Sequence, residues 1–245
     1  MIDSAQFIAI VGETASGKSA LALDLAQAFN GEIICADSAT VRRGIDMGTA
    51  KPTAAERAVV PHHLLDIVGP DERFTVADFK RLAEKSIEDI NNKGKLPIMA
   101  GGTGLYVDSV LYDYSFGVAD APDRASVRSN SLVLGLKLDR DELRRRIEQR
   151  VDAMLAAGLE DEVTHLAAQF GRDCLALKNV GYAQWKDYFD GTQSLPETRR
   201  LIVKATLDLA KRQRTWFKRN NSIQWLDTPV NMTNVVDTVT TFLST

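Results

Sequence analysis

The chain has 245 residues, 44% of them hydrophobic, and a formal net charge of −3. That length holds one sizeable α/β domain with its own core, and the negative balance excludes a bulk electrostatic attraction to nucleic acid, so any such surface must be local. Two cysteines, Cys35 and Cys174, and three histidines argue against a disulfide framework or a His-based metal site, and the apolar runs are far too short to span a bilayer, so a cytoplasmic protein without a leader is expected.

The first predicted element is an apolar strand, Phe7–Val11. Directly after it comes Gly12-Glu13-Thr14-Ala15-Ser16-Gly17-Lys18-Ser19, which fits G-x-x-x-x-G-K-[ST], and then a helix over Ser19–Phe29. Strand, glycine loop and helix in that order make a phosphate-binding loop. Its glycines let backbone N–H groups curl around phosphate oxygens, and the helix N-terminus adds partial positive charge. Lys18 supplies a mobile cation, and the Ser19 hydroxyl can hold Mg²⁺. The chain is therefore expected to bind a phosphate ester.

A second strand, Glu32–Cys35, leads into Asp37-Ser38-Ala39-Thr40. Ligands of open α/β sheets sit beyond the C-terminal ends of strands, which puts Asp37 near the phosphate loop. There it can be a Mg²⁺ ligand, a general base or only a turn residue. A third strand is expected at His63–Ile67, with His62 and His63 on opposite faces, then a helix over Val76–Asn91 with a T-x-x-D start at Thr75. A fourth strand, Leu96–Ala100, opens Gly101-Gly102-Thr103-Gly104 and a helix over Leu105–Leu111. This second glycine loop is either another anion site or a tight strand-to-helix turn. The stretch 114–130 reads as a loop.

The remaining predicted elements are a strand at Leu132–Leu138, helices over Asp141–Ala156, Glu160–Gln169 and Glu197–Lys218, and a strand at Ser222–Leu226. Alternation of this kind argues for an α/β fold with a doubly wound, mainly parallel sheet. Two of the helices carry basic residues: Arg140, Arg144, Arg146 and Arg150 on one, and Lys204, Lys211, Arg212, Arg214, Lys218 and Arg219 on the other. Arg146 and Arg150 project together. Such faces suit a polyanionic substrate, although most charge runs are solvated helix surfaces. Trp185, Trp216 and Trp225 are expected in cores or interfaces.

These stretches, taken together and in order, resemble the tRNA dimethylallyltransferase family. The resemblance rests on Gly12–Ser19, Asp37-Ser38, the string Gly44–Pro52 that contains GTAKP, Pro61–Asp66, Phe74–Phe79, Gly101–Tyr106 (GGTGLY), Arg146–Arg150, Val180-Gly181-Tyr182 and Ala210–Gln213. It implies a P-loop NTPase-like fold in a single domain, residues 1–245. It also implies transfer of a dimethylallyl group from dimethylallyl diphosphate to N6 of an adenosine in a tRNA anticodon loop. By resemblance Gly12, Thr14, Ala15, Ser16, Gly17, Lys18, Ser19 and Arg150 hold the diphosphate, with Mg²⁺ on Ser19. Thr103 donates to the bridging oxygen and Asp37 takes a proton from the amino group, so Asp37, Thr103, Lys18 and Arg150 form the catalytic set. Asp37, Ser38, Ala39, Thr40, Lys51, Lys211 and Arg212 face the tRNA anticodon stem-loop. A monomer is expected.

The chain departs from the family in three places. Thr40 stands for a Gln and Arg42 for a Tyr of the family's DSxQVYRG, and Thr206-Leu207-Asp208 stands for TRQ. The helical insertion that follows GGTGLY is missing, with 114–131 as a shortened remnant. The missing insertion keeps open a free-nucleotide reading, as in adenylate isopentenyltransferases. More remote alternatives are a P-loop nucleotide kinase and a silent RNA-binding relic.

Overall fold

The computed structural model describes residues 6–116 and 127–245. Most of the shortened stretch 114–131 thus lies outside the described residues. Six strands form one sheet in the order β3-β2-β4-β1-β5-β6. They are β1 (Phe7–Gly12), β2 (Gly31–Cys35), β3 (His62–His63), β4 (Leu96–Ala100), β5 (Ser131–Lys137) and β6 (Gln224–Asp227), and every neighbouring pair is parallel. β1 lies between β4 and β5, with Ile8 opposite Ile98 on one side and Leu132 on the other. All its residues are buried, as a central parallel strand covered on both faces requires.

Helices cover the two faces. On one lie α3 (Val76–Asn92) and α4 (Gly104–Leu111), which pack Phe79, Ile87, Tyr106 and Val110 against Phe7, Ala9 and Val11 of β1. On the other, α1 (Lys18–Ala28) and α9 (Met232–Leu243) pack Leu21, Leu25, Val235 and Val239 against Ile8 and Ile10. The alternation of Phe7, Ala9 and Val11 with Ile8 and Ile10 is the two-residue period of a strand. A third core takes no residue from the sheet. It joins α5 (Arg140–Ala156), α6 (Leu159–Phe170) and α8 (Leu195–Phe217) around Trp185 and Tyr182. α8 belongs to two cores: Ile202, Val203 and Ala210 enter this third one, and Phe217 the sheet.

The predicted strand His63–Ile67 is corrected by the structure: β3 stops at His63. Leu64 (φ 62°) and Asp66 (φ 57°) take left-handed backbone, which no strand tolerates. Three further helices, α2 (Ala54–Val59), α7 (Lys186–Phe189) and α9, were not expected. α2 has a full capping box between Thr53 and Glu56. Trp185 is fully buried, as expected of a core residue.

Candidate active site

The site is built where two glycine loops leave neighbouring strands. The first runs from the end of β1 to α1. Gly12 (φ 140°), Ala15 (φ 61°) and Gly17 (φ 102°) hold its backbone in a conformation that turns successive amides inward. Gly17 is the N-cap of α1 and supplies no side-chain cap. Among the described residues no protein acceptor meets the amides of Ala15, Gly17, Lys18 or Ser19, and the buried Ser16 hydroxyl has no partner either. Four free amides at a helix N-terminus make an anion nest. Lys18 folds back so that its ammonium donates to the Glu13 carbonyl at 2.6 Å. Burial pulls that ammonium down to about 8; Asp37 and Glu13 oppose the drop and Arg150 adds to it.

The second glycine loop, between β4 and α4, does something else. A Cβ at Gly101 would lie 2.0 Å from the Ala36 carbonyl oxygen, one at Gly102 2.3 Å from Gln213, and one at Gly104 2.3 Å from Trp216. None of the three has a positive φ. Its glycines are there for space, as the tight-turn reading requires; the amides of Gly102, Gly104 and Leu105 meet no protein acceptor among the described residues and these residues line the same cavity, so the anion-site reading stays open beside it. What the close approach achieves is the placing of Thr103. Its hydroxyl accepts from the Ser38 amide at 2.9 Å and donates to the Ser38 hydroxyl at 3.2 Å, which ties the loop after β4 to the loop after β2.

Asp37 sits in that second loop. One of its carboxylate oxygens accepts from the Ala39 amide at 2.8 Å. From the opposite wall, α5 contributes Arg150, whose guanidinium donates to the Thr49 carbonyl at 2.9 Å. Burial lowers the Arg150 pKa, with Asp37 acting in the other direction. These residues line a single cavity of about 830 Å³, enough for a diphosphate ester and a base together. Its wall includes Thr14, Ala15, Gly17, Lys18, Ser19, Asp37, Ser38, Ala39, Thr40, Thr103, Arg150 and Arg212. Gly12 and Ser16 stand behind it.

Lys51 is different. Its side chain is 1% exposed and forms ion pairs with Asp46 and Asp66, with the Arg42 carbonyl as a third acceptor at 2.8 Å. It cannot reach a tRNA phosphate, and the expectation of a contact there is corrected. It braces the GTAKP loop, which docks further through Gly48: the Gly48 amide donates to Tyr182, whose hydroxyl donates to Glu162 at 2.5 Å. Lys211 lies outside the cavity, exposed at the surface of α8. Arg146, given no site role in the sequence analysis, lines the cavity one helical turn from Arg150. Among the described residues no cluster of three or more His, Cys, Asp or Glu could hold a metal. His62 and His63 are bonded to the Val60 carbonyl and to Glu32.

An all-parallel sheet, an anion nest after its central strand and a carboxylate and hydroxyl in the same cavity define a P-loop protein built for group transfer. A family model described as IPP transferase matches residues 40–130 and 118–220. The chain is 36% identical to the tRNA dimethylallyltransferase of Anoxybacillus flavithermus, covering 90% of this chain and 89% of that one. It is 39% identical to tRNA dimethylallyltransferase 1 of Trichlorobacter lovleyi, covering 97% and 98%. The full-length tRNA isopentenylpyrophosphate transferase of Bacillus halodurans superposes with a TM-score of 0.88 at 34% identity, covering 98% of this chain and 96% of that one. The chain belongs to the IPP transferase family. The alignment with the Trichlorobacter lovleyi protein spans 305 positions, 60 more than this chain has residues, and the family model matches in two pieces that meet at 118–130.

Proposed function

We propose that this protein transfers the dimethylallyl group of dimethylallyl diphosphate to N6 of an adenosine in the tRNA anticodon loop, releasing diphosphate. The observation that carries the reading is one cavity lined by both an anion nest and Asp37. The C–O bond of the donor breaks, a C–N bond forms, and the electron pair of the broken bond leaves on the diphosphate. The free amides of the nest, Lys18 and Arg150 stabilise that developing charge without reorganising. The Thr103 hydroxyl, turning its one proton from Ser38 to the bridging oxygen, donates there as the bond breaks. Asp37, with one oxygen fixed by the Ala39 amide, takes the N6 proton and orients the nitrogen.

The residues also fit Mg²⁺. The Ser19 hydroxyl lines the cavity and has no protein partner among the described residues. Mg²⁺ commonly takes few protein ligands, with water and substrate phosphate completing its shell. Bound there, it would supply further positive charge to the leaving diphosphate.

tRNA is the acceptor favoured by the exposed end of α8, where Lys211, Arg212, Lys218 and Arg219 have no carboxylate partner among the described residues. The excess of that alignment over the length of this chain, which marks the missing insertion, favours a free nucleotide. We read 114–131 as the shortened remnant of the family's insertion, and the chain as a cytoplasmic monomer. Labelled dimethylallyl diphosphate, offered to tRNA, an anticodon stem-loop and AMP at two salt concentrations, tests the proposal. Transfer to both RNAs is expected; AMP outperforming both at each salt would replace the tRNA reading with the nucleotide one. Asp37→Asn should depress turnover and leave diphosphate binding nearly intact.

A further inference from the structure

Gln213 touches both glycine loops and has no role in the chemistry described above. It lies on α8, 8% exposed. Its side-chain oxygen accepts from the Thr14 amide at 2.7 Å, and its side-chain nitrogen donates to the Gly102 carbonyl at 3.1 Å. The first bond holds the loop that forms the anion nest. The second holds the residue next to Thr103, whose hydroxyl in turn is bonded to Ser38 beside Asp37. One amide therefore connects the end where the leaving group sits to the end where the nucleophile is activated.

The contact is tight on both sides. A Cβ on Gly102 would lie 2.3 Å from the Gln213 nitrogen. The neighbouring Arg214 forms an ion pair with Glu13 of the first loop, and Trp216 is packed against Gly104 of the second, so this stretch of α8 is seated firmly on both loops. Only a side chain with an acceptor and a donor on one planar group can make both bonds at once. Gln does; ionised Glu has no donor, and Met has no donor and only a weak acceptor. The bond to Thr14 also satisfies an amide that would otherwise belong to the nest, and so marks where the nest begins.

We propose that Gln213 is a positioning residue that sets the separation between the diphosphate nest and the Thr103–Asp37 pair. This rests on the transfer reaction proposed above. Transfer requires the donor carbon and N6 to meet in line, and displacing one wall of a site by about 1 Å can cost on the order of 10²-fold in rate. The nest itself should survive, because neither its free amides nor Lys18 bonds to Gln213, and Arg214 still ties α8 to Glu13 of the same loop.

The test combines two variants. Gln213→Met should bind inorganic diphosphate within roughly threefold of the parent while its single-turnover transfer rate falls on the order of 10²-fold. Gln213→Glu gives a readout that a structural role would not move. Ionised, its carboxylate repels the Gly102 carbonyl; protonated, its O–H replaces the lost donor. Its rate relative to the parent should therefore climb as pH is lowered from 9 to 5, at a temperature where both stay folded. A flat ratio, or a Gln213→Met variant whose diphosphate affinity falls as far as its rate, overturns the inference. If Gln213→Met does not fold, the Gln213→Glu profile decides alone. A parent protein that transfers nothing to tRNA or AMP overturns the underlying function instead, and is seen in the same assay.

Discussion

Two glycine-rich loops stand side by side at the C-terminal edge of the sheet, and they use glycine for opposite reasons. In the loop after β1, Gly17 has φ 102° and its missing Cβ would meet only a Leu136 methyl, at 4.0 Å. There the demand is conformational: left-handed backbone frees amides for an anion. In the loop after β4, Gly101 has no positive φ, but a Cβ would sit 2.0 Å from the backbone oxygen of Ala36. There the demand is for space, and the result is a hydroxyl, Thr103, held against the neighbouring loop. One loop leaves its amides free towards the cavity, and the other fixes a hydroxyl in the wall of that same cavity.

On this division, loss of the first loop's cation or glycines should appear in ligand binding and chemistry, and loss of the second loop's glycines first in stability. The largest effect is expected at Lys18. Lys18→Ala removes a preorganised cation from the leaving group, and kcat should fall on the order of 10²–10³-fold, with the melting temperature nearly unchanged. Next comes Gly101→Ala, which forces a methyl into backbone. It should destabilise the fold by about 3 kcal/mol or more, read by denaturant unfolding. Gly17→Ala has room for its methyl, costs about 1–2 kcal/mol of backbone strain, and should lose diphosphate affinity out of proportion to that cost. Equal losses of stability in Gly101→Ala and Gly17→Ala, with equal diphosphate affinities, would erase the distinction.

The sequence reveals the first loop well because its spacing encodes its physics: two glycines, a Lys and a hydroxyl between strand and helix have few other uses. It cannot separate the two meanings of GGTG, since a glycine needed for space and one needed for φ are the same letter. Lys51 misleads for a related reason. A lysine in a loop reads as solvent-facing, and its partner Asp66 becomes visible only when Leu64 and Asp66 turn left-handed and end β3 early. Gln213 is hidden most deeply: its bonds reach 199 and 111 residues along the chain, and no local pattern announces them. The α2 capping box, Thr53 with Glu56, was readable from the sequence and shows that short helices are missed for want of length rather than signal.

A smaller effect separates the loops by pH. The Lys18 ammonium, lowered to about 8 by burial, regains stabilisation when an anion enters the nest, so its pKa rises in the complex. Diphosphate affinity should then be full below pH 8 and decline by up to about tenfold per pH unit above it, until the pKa of the complex is reached. Calorimetric titration at pH 7, 8 and 9 measures this. Lys18→Ala should lose that decline, and Gly102→Ala, a variant of the packing loop, should keep it. A decline that survives in Lys18→Ala would assign the proton to another group.

The smallest predicted effect extends the contrast to the two basic helices, which resemble each other in sequence and differ in the fold. On α5 the cations are largely occupied by neighbours: Arg145 makes two bonds to Glu142, at 2.8 and 2.7 Å, and a third to Gln149. On α8, Lys211 is exposed and has no ion-pair partner among the described residues. A cation already neutralised by a carboxylate releases little when it meets a phosphate, whereas a free one releases a condensed counterion from the RNA. Lys211→Ala should therefore weaken tRNA binding by less than about tenfold and flatten its salt dependence by about 0.7–0.9 in log–log slope. Arg145→Ala should leave both unchanged. Prenylation of AMP, which has no phosphate backbone to place on α8, should be indifferent to either substitution. If Arg145→Ala matched Lys211→Ala in slope, the RNA path would have to cross α5 as well, and ion pairing in the free protein would be no guide to where the nucleic acid lies.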